Sequence, residues 1–452
     1  MIINNLKIMK NKSTTKVFTW SIIVALGGFL FGFDTAVISG AEKQIQELFQ
    51  LSSLMHGFTI SSALIGTVIG ALISGKPADR FGRRPILFTI AALYVTTAVG
   101  SALANNVSSF IVFRFLGGIG VGASSVVAPM YIAEISPAKI RGRMTAMFQF
   151  NVIFGILIAY ISNFLLRDFG AEPWRWMLGV AGIPAFIFFT LLFLIPESPR
   201  FLIKIGQIAK AKVILEKIEV SSIDEEIEEI KLSMSQSSTK KQNLFSHIYF
   251  KPISIAFLVA MFNQFSGINA ILYYAPRIFE LSGLTKSDSM LQSILIGVTN
   301  GIFTILGLIL IDKVGRKKLL ITGSIGMSVC LGLVAKTFYT QNFSGYGLLI
   351  FLLIYIMFFA FSTGAVIWVL IAEIFPNAIR GKGQSLGSFT HWFFAALITF
   401  LFPVVEKLSQ FGVAYAFMFF SIMMIIQVIV VWKYFPETKG RTLEDIGGNL
   451  SH

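Results

Sequence analysis

Apolar residues in this chain come in long unbroken runs, with neither the alternation of a half-buried strand nor the three-four spacing of a surface helix. Twelve runs are long enough to cross a bilayer as helix, which takes roughly 17–25 residues. They lie at about 17–41, 57–75, 85–104, 108–133, 144–166, 176–195, 252–276, 289–311, 319–335, 344–372, 383–405 and 411–432. Only two charges fall inside them, Asp34 in the first and Arg114 in the fourth. The runs are too long for the alternating segments of about ten residues that build a membrane barrel. The first is too long for a cleavable signal peptide and no small-residue cleavage site follows it, so it is expected to remain as a helix. The pattern predicts an all-α polytopic membrane protein with twelve transmembrane helices.

One long polar stretch, about 200–250, divides the runs into two sets of six. Ile205, Ile208, Val213 and Ile214 keep helical spacing there, followed by an acidic run at 224–229 and a Ser- and Lys-rich piece at 233–241. Short amphipathic helices are expected; for the second part a solvated linker competes with that reading. The predicted organisation is an N-terminus at 1–16, a six-helix bundle at 17–199, linker helices at 200–251, a second bundle at 252–435 and a C-terminus at 436–452.

Composition agrees with this picture. Of 452 residues 55% are hydrophobic, and the 39 Gly raise the apolar share to about 64%, against roughly 45–50% in soluble domains. This excludes a soluble enzyme, a disordered chain and a coiled coil. One Cys excludes a disulfide scaffold and a Cys-based metal site, and four scattered His argue against a His-based one. No metal or cofactor is expected. The net charge of +14 would suggest a nucleic-acid surface only if it gathered on a soluble domain. Instead, 29 of the 37 Lys and Arg fall on the side of the termini, 7 on the other, and Arg114 within the membrane. By the positive-inside rule both termini face the cytoplasm. The expected location is the plasma or inner membrane, and no nucleic-acid partner is expected.

The loops on the terminus side repeat. Gly75-Lys-Pro-Ala-Asp-Arg-Phe-Gly-Arg-Arg84 follows the second run and Asp312-Lys-Val-Gly-Arg-Lys-Lys318 the eighth. Glu134-Ile-Ser-Pro-Ala-Lys-Ile-Arg-Gly-Arg143 follows the fourth and Glu373-Ile-Phe-Pro-Asn-Ala-Ile-Arg-Gly-Lys382 the tenth. Pro196-Glu-Ser-Pro-Arg200 and Pro436-Glu-Thr-Lys-Gly440 follow the sixth and twelfth. Offsets of 233, 239 and 240 residues point to two homologous bundles. Parallel repeats of this kind place a substrate site near the midplane between the halves. Asp79, Arg83, Arg84, Glu134, Arg141, Glu197 and Arg200, with Asp312, Arg316, Glu373, Arg380 and Glu437, form a candidate ion-pair layer on the terminus side. A network that forms in one state only can bias an equilibrium; plain topology charges are the competing reading.

An ionisable group at the depth of Asp34 is costly and a functional candidate. If Asp34 and Arg114 pair in one conformation and part in another, Asp34 changes its proton affinity during a cycle, which proton coupling requires. A permanent ion pair locking two helices competes with this. The seventh run also carries Asn263, Gln264, Asn269 and Tyr273. Amides offer donors and an acceptor without charge and suit the hydroxyl rim of a sugar. Gln264 and Asn269 are five apart, about 140° around a regular helix. They share a face only if the helix bends, and Gly267 and Pro276 permit a bend. Asn269 and Tyr273 share a face as they stand. Helix–helix hydrogen bonding is the alternative use of such residues.

On these motifs the chain resembles the sugar-porter family of the major facilitator superfamily, from the first run to the C-terminus. The resemblance implies alternating access by two rocking bundles, no enzymatic reaction, and a pentose or hexose together with a proton as partners. It implies that the matching positions of the seventh run bind sugar. It adds Phe31, Gln149 as a principal hydroxyl partner, Ile153, Asn300, Gly364 as room for backbone approach, Trp368 as an aromatic floor, His391 and Trp392. Trp392 also reads as an ordinary packing aromatic. There are departures: Asn263 stands in place of a second Gln, His391 in place of an amide, Ala395 in place of Asn, Ile156 in place of Gln and Ala365 in place of Pro. They touch the substrate rim and bear on which monosaccharide is carried: xylose, glucose, galactose, arabinose or inositol. The family's proton symporters carry Asp and Arg at the positions of Asp34 and Arg114, whereas its facilitative glucose carriers have Asn at the first. Proton symport by a monomer is therefore expected. A facilitative uniporter and a non-transporting sensor are the alternatives, although about sixteen residues before the first run and about twenty after the last are short for a sensor's tails.

Overall fold

A computed structural model describes residues 12–137, 140–218, 222–239, 244–343, 345–376 and 379–439. Lys7, Lys10, Lys139, Lys240, Lys241 and Arg441, and with them much of the two expected terminal segments, lie outside the described residues. Twelve helices are long and apolar enough to span a membrane. The first six are α1 (Thr15–Leu48), α2 (Ser53–Ile73), α3 (Arg83–Ala102), α4 (Val107–Ile135), α5 (Arg141–Leu166) and α6 (Pro173–Leu194). The second six are α7 (His247–Glu280), α8 (Lys286–Val314), α9 (Arg316–Thr340), α10 (Gly347–Ile374), α11 (Arg380–Leu408) and α12 (Gly412–Tyr434).

Side-chain caps start several of these helices. Ser52 accepts from the Met55 N–H at α2, Asn106 from Ser109 at α4 and Thr285 from Asp288 at α8. On the face away from the termini the helices outrun the apolar segments that nucleate them. α1 continues past 41 to Leu48, α2 begins at Ser53, α7 reaches Glu280 and α11 reaches Leu408. These extensions carry Glu42, Lys43, His56, Arg277 and Glu406, so the spanning helices hold more charge than the apolar runs alone suggest.

Packing within a bundle uses small residues to bring backbones together. A side chain at Gly32 of α1 would strike the backbone of Val152 on α5, and one at Gly155 of α5 would strike that of Phe29 on α1. Substitution of either would push the two helices apart. Between α6 and α7 three short helices, Pro199–Lys204, Ile208–Lys217 and Ile223–Thr239, lie on the terminus side. Leu202, Ile203, Ala211, Ile214, Leu215 and Ile227 bury against Val17 of α1. The expected amphipathic helices are there, but Ile205 and Val213 turn to the surface, 45% and 48% exposed. The buried stripe runs through Ala211, Ile214 and Leu215 instead.

Candidate functional site

The seventh helix sets the geometry at the centre. α7 breaks after Phe265, where Gly267 adopts φ +86° and ψ 8°, a left-handed conformation that disfavours a side chain. A Cβ there would also meet the ring of Phe420. The bend does what the spacing required. Asn269 Nδ2 donates to Gln264 Oε1 at 2.6 Å, and Gln264 Nε2 donates to Asn263 Oδ1 at 2.9 Å. Gln264 Nε2 also lies 3.2 Å from each ring nitrogen of His391 on α11, of which one accepts at a time. Asn263 Nδ2 donates to the Thr363 carbonyl at 3.3 Å, beside a second break in α10 at Ser362.

Aromatic rings continue the cluster. The His391 ring lies 4.9 Å from Trp368 and 4.8 Å from Trp392. Trp392 in turn lies 5.4 Å from Phe31 on α1, so the chain of contacts crosses from one bundle to the other. Trp368 keeps 37% of its surface exposed. Gln149 and Phe31 are half-buried, and the Gln149 amide has no partner among the described residues. Asn300 and Tyr273 are buried on α8 and α7. Ile153 packs towards Gly301 of α8, again across the bundles. Gly364 lies beside the α10 break. A Cβ there would meet the Phe359 ring at 3.0 Å and its carbonyl at 3.3 Å, so its missing side chain relieves the α10 break.

Asp34 and Arg114 form an ion pair between α1 and α4, through Arg114 Nη1 and Asp34 Oδ1. Arg114 is 1% exposed, and its Nε and Nη2 are buried without partners among the described residues. A small cavity adjoins the pair, with Tyr94, Thr97 and Ser101 of α3 on its wall. The contact is single rather than a bidentate fork, the stronger arrangement for these groups. Tyr273 lies within electrostatic reach of both charges.

The terminus-side layer is built twice. Arg83 bonds Glu134 at 2.8 Å and Asp79 at 3.0 Å, and Arg316 bonds Glu373 at 2.7 Å and Asp312 at 3.0 Å. Glu197 accepts the N–H groups of Arg83 and Arg84 at the start of α3, and Glu437 accepts those of Arg316 and Lys317 at the start of α9. Each carboxylate thus caps a helix N-terminus, where backbone N–H groups are otherwise unpaired. Burial pushes the Glu197 carboxyl above its ordinary range, opposed by those same N–H donors. Gly82 and Gly315 precede the caps with φ +100° and +99°, and a side chain at either would strike the capping Glu. Two features differ from the expected ion-pair layer. Arg84, Arg141 and Arg380 bond backbone carbonyls, of Phe193, Ser136 and Phe375 respectively, because these carbonyls lie at helix ends within reach. The pairs named here also join helices of the same bundle. Arg200 is exposed at the surface.

On the opposite face, bonds within each bundle adjoin others that run between the bundles. Arg277 of α7 makes a two-point contact with Glu406 of α11 at 2.8 and 3.0 Å, and reaches Glu42 of α1 at 3.1 Å and Gln46 at 2.7 Å. Glu42 Oε2 lies 2.7 Å from His56 Nε2 on α2. Lys43 bonds Glu280 at 2.5 Å, Tyr160 donates to the Leu272 carbonyl at 2.8 Å, and Lys286 to the Arg167 carbonyl at 3.3 Å. A Cβ on Gly57 of α2 would strike the backbone of Phe400 on α11. The two bundles are therefore sealed against each other on the face away from the termini.

The profile of the family described as "Sugar (and other) transporter" matches residues 20–449. The chain belongs to this family of transporters. The transporter is 36% identical to the D-xylose-proton symporter of Escherichia coli K12 over 471 residues, covering 96% of each chain. It is 38% identical to the arabinose-proton symporter of Bacillus subtilis, covering 98% of this chain and 97% of that one. Its backbone superposes on the inward open conformation of the xylose transporter XylE from E. coli with TM-score 0.85 at 37% identity, covering 96% of this chain and 99% of that one. The transporter's fold is thus that of the major facilitator superfamily, with two six-helix bundles. Sequence reading missed Glu42, His56, Arg277 and Glu406 in it. A signal was available: each lies within four residues of the far end of an apolar run, and opposite charges recur there in both halves.

Proposed function

We propose that the protein is a proton-coupled monosaccharide symporter that works by alternating access. One observation carries the reading. A single-point carboxylate–guanidinium pair, Asp34–Arg114, is buried in the first bundle, while a cluster of linked amides and aromatics bridges the two bundles at the α7 break. The amides of Gln149, Asn263, Gln264, Asn269 and Asn300 serve the sugar's hydroxyl rim, and Trp368, Trp392 and Phe31 its C–H faces. His391 stands among them as a further polar partner, with Ile153, Tyr273 and Gly364 shaping the cleft. Protonation of Asp34 releases Arg114 and lets the bundles reorient. Pentoses and hexoses are the substrate class, supported by the named sugars of the relatives. The positive-inside rule supports cytoplasmic termini, on which reading the sealed face is the outer one and the state described is inward-facing. Each chain carries both bundles and works as a monomer, without an enzymatic step.

Sugar added to a lightly buffered suspension of expressing cells should raise the external pH. Asp34→Asn should abolish uphill accumulation yet leave counterflow exchange. Sugar entry with no proton movement in the native protein would refute symport in favour of uniport. Loss of both activities in the variant would instead identify the pair as a structural lock.

A further inference from the structure

The outer seal holds an uneven set of charges. Glu42 and His56 come from the first bundle, Arg277 and Glu406 from the second. All four are nearly or fully buried: His56 is 0% exposed and Glu42 1%. Arg277 and Glu406 form a neutral two-point pair on their own side. Glu42 brings a second carboxylate, and with His56 neutral the closed cluster carries one uncompensated negative charge. A buried excess charge is costly, within a membrane above all.

The remaining groups around His56 do not balance it. Tyr274 of α7 places its ring 6.2 Å from the imidazole and donates its hydroxyl to the Thr399 carbonyl. Gln46 is neutral. Lys43 and Glu280 neutralise each other at the rim, and Glu47 and Lys407 are exposed to solvent. His56 itself has the vacancy. Its Nε2 faces the Glu42 carboxylate and there carries the hydrogen, while Nδ1 is buried with no partner among the described residues. The open lone pair of the cluster is on Nδ1.

We propose that Glu42, His56, Arg277 and Glu406 form a second proton site, distinct from Asp34, which latches the outer gate. A proton from the outer solution adds to His56 Nδ1 and makes an imidazolium beside Glu42. The first bundle then presents a neutral pair to the neutral pair of the second, and the gate closes without burying net charge. When the gate opens, the two pairs separate into water and the proton returns to the outer solution. External acid therefore favours the closed outer gate, by up to about tenfold in the closed-to-open ratio per pH unit for one linked proton.

This rests on alternating access, but its test needs no sugar flux and so fails independently of the transport reading. The full chain in lipid nanodiscs, with Cys330→Ser, carries spin labels on Asn105→Cys, just beyond α3, and Thr340→Cys, the last residue of α9, exposed sites in different bundles. Asp34→Asn in the same background removes titration of the inner pair. Interlabel distances measured from pH 8 to pH 5 should shift towards the short, closed population. His56→Gln should flatten this response, and Arg277→Gln should hold the long distance at every pH. A pH response that survives His56→Gln, or no response in the parent, would overturn the proposal.

Discussion

Gln264 is the most connected side chain of the central cluster. Its amide accepts from Asn269, donates to Asn263 and touches His391. On the proposed role of the cluster, a bound sugar exchanges some of these bonds for its own hydroxyls, so that Gln264 acts on affinity more than on structure. Gln264→Ala removes a donor and an acceptor at a buried site, a loss of about 1–3 kcal/mol. The apparent KM for sugar should therefore rise roughly ten- to a hundredfold. The proton-to-sugar ratio, read from alkalinisation against labelled uptake, should stay as in the native protein. The amides were legible from residue type and position alone. Their bonding to one another was not, because five residues along a regular helix separate Gln264 and Asn269. Only the left-handed backbone at Gly267 brings them together.

At the level of elements, the repeated Gly-Arg pairs are helix starts. Gly82 and Gly315 hold φ near +100° with ψ of 165° and 157°, a region nearly confined to glycine, while Glu197 and Glu437 cap the helices that follow. Alanine there costs about 1–3 kcal/mol in backbone strain, and it also displaces the capping carboxylate. Gly315→Ala should lower the thermal midpoint in detergent more than Glu437→Gln, which leaves an acceptor oxygen in place. The motif spacing in the sequence showed that these loops were duplicated. It did not show that the carboxylate of one loop binds the backbone of another, since nothing in a linear motif records which loop end it meets in three dimensions. Helix ends were hidden for a related reason. Hydropathy marks where a helix is apolar, whereas Ser52, Asn106 and Thr285 mark where it begins. The charges of the seal away from the termini fall between those two boundaries.

Across the whole molecule, polar bonding is partitioned. The terminus-side layer described here fastens helices within a bundle, whereas the far side also holds bonds from one bundle to the other, among them Arg277 to Glu42 and Gln46, and Lys43 to Glu280. Arg83 and Arg316 therefore belong to separate structural units. Arg83→Ala leaves Glu134 with the Ser198 hydroxyl, and Arg316→Ala leaves Glu373 with that of Thr438; each should destabilise by about 1–3 kcal/mol. Effects in separate units add within about 0.5 kcal/mol, so the double variant should show the sum in unfolding measurements. A marked departure from additivity would mean that the two layers are joined. The twelve spans, their division into halves and their basic side were all readable from runs and loop charges. The direction in which the bundles are closed was not, because one sequence serves every state of the cycle.

The separation of the Glu42, His56, Arg277 and Glu406 tetrad from the amide cluster has an evolutionary consequence. In the roles proposed above, the side chains that recognise a ligand and those that set the resting posture share α1, α7 and α11 but lie at different depths. Drift at Glu42, His56, Arg277 or Glu406 can shift how long the carrier waits in each posture without altering what it carries. A lineage moving to a more acidic or more alkaline habitat could thus adjust its uptake by changing a few residues at the rim.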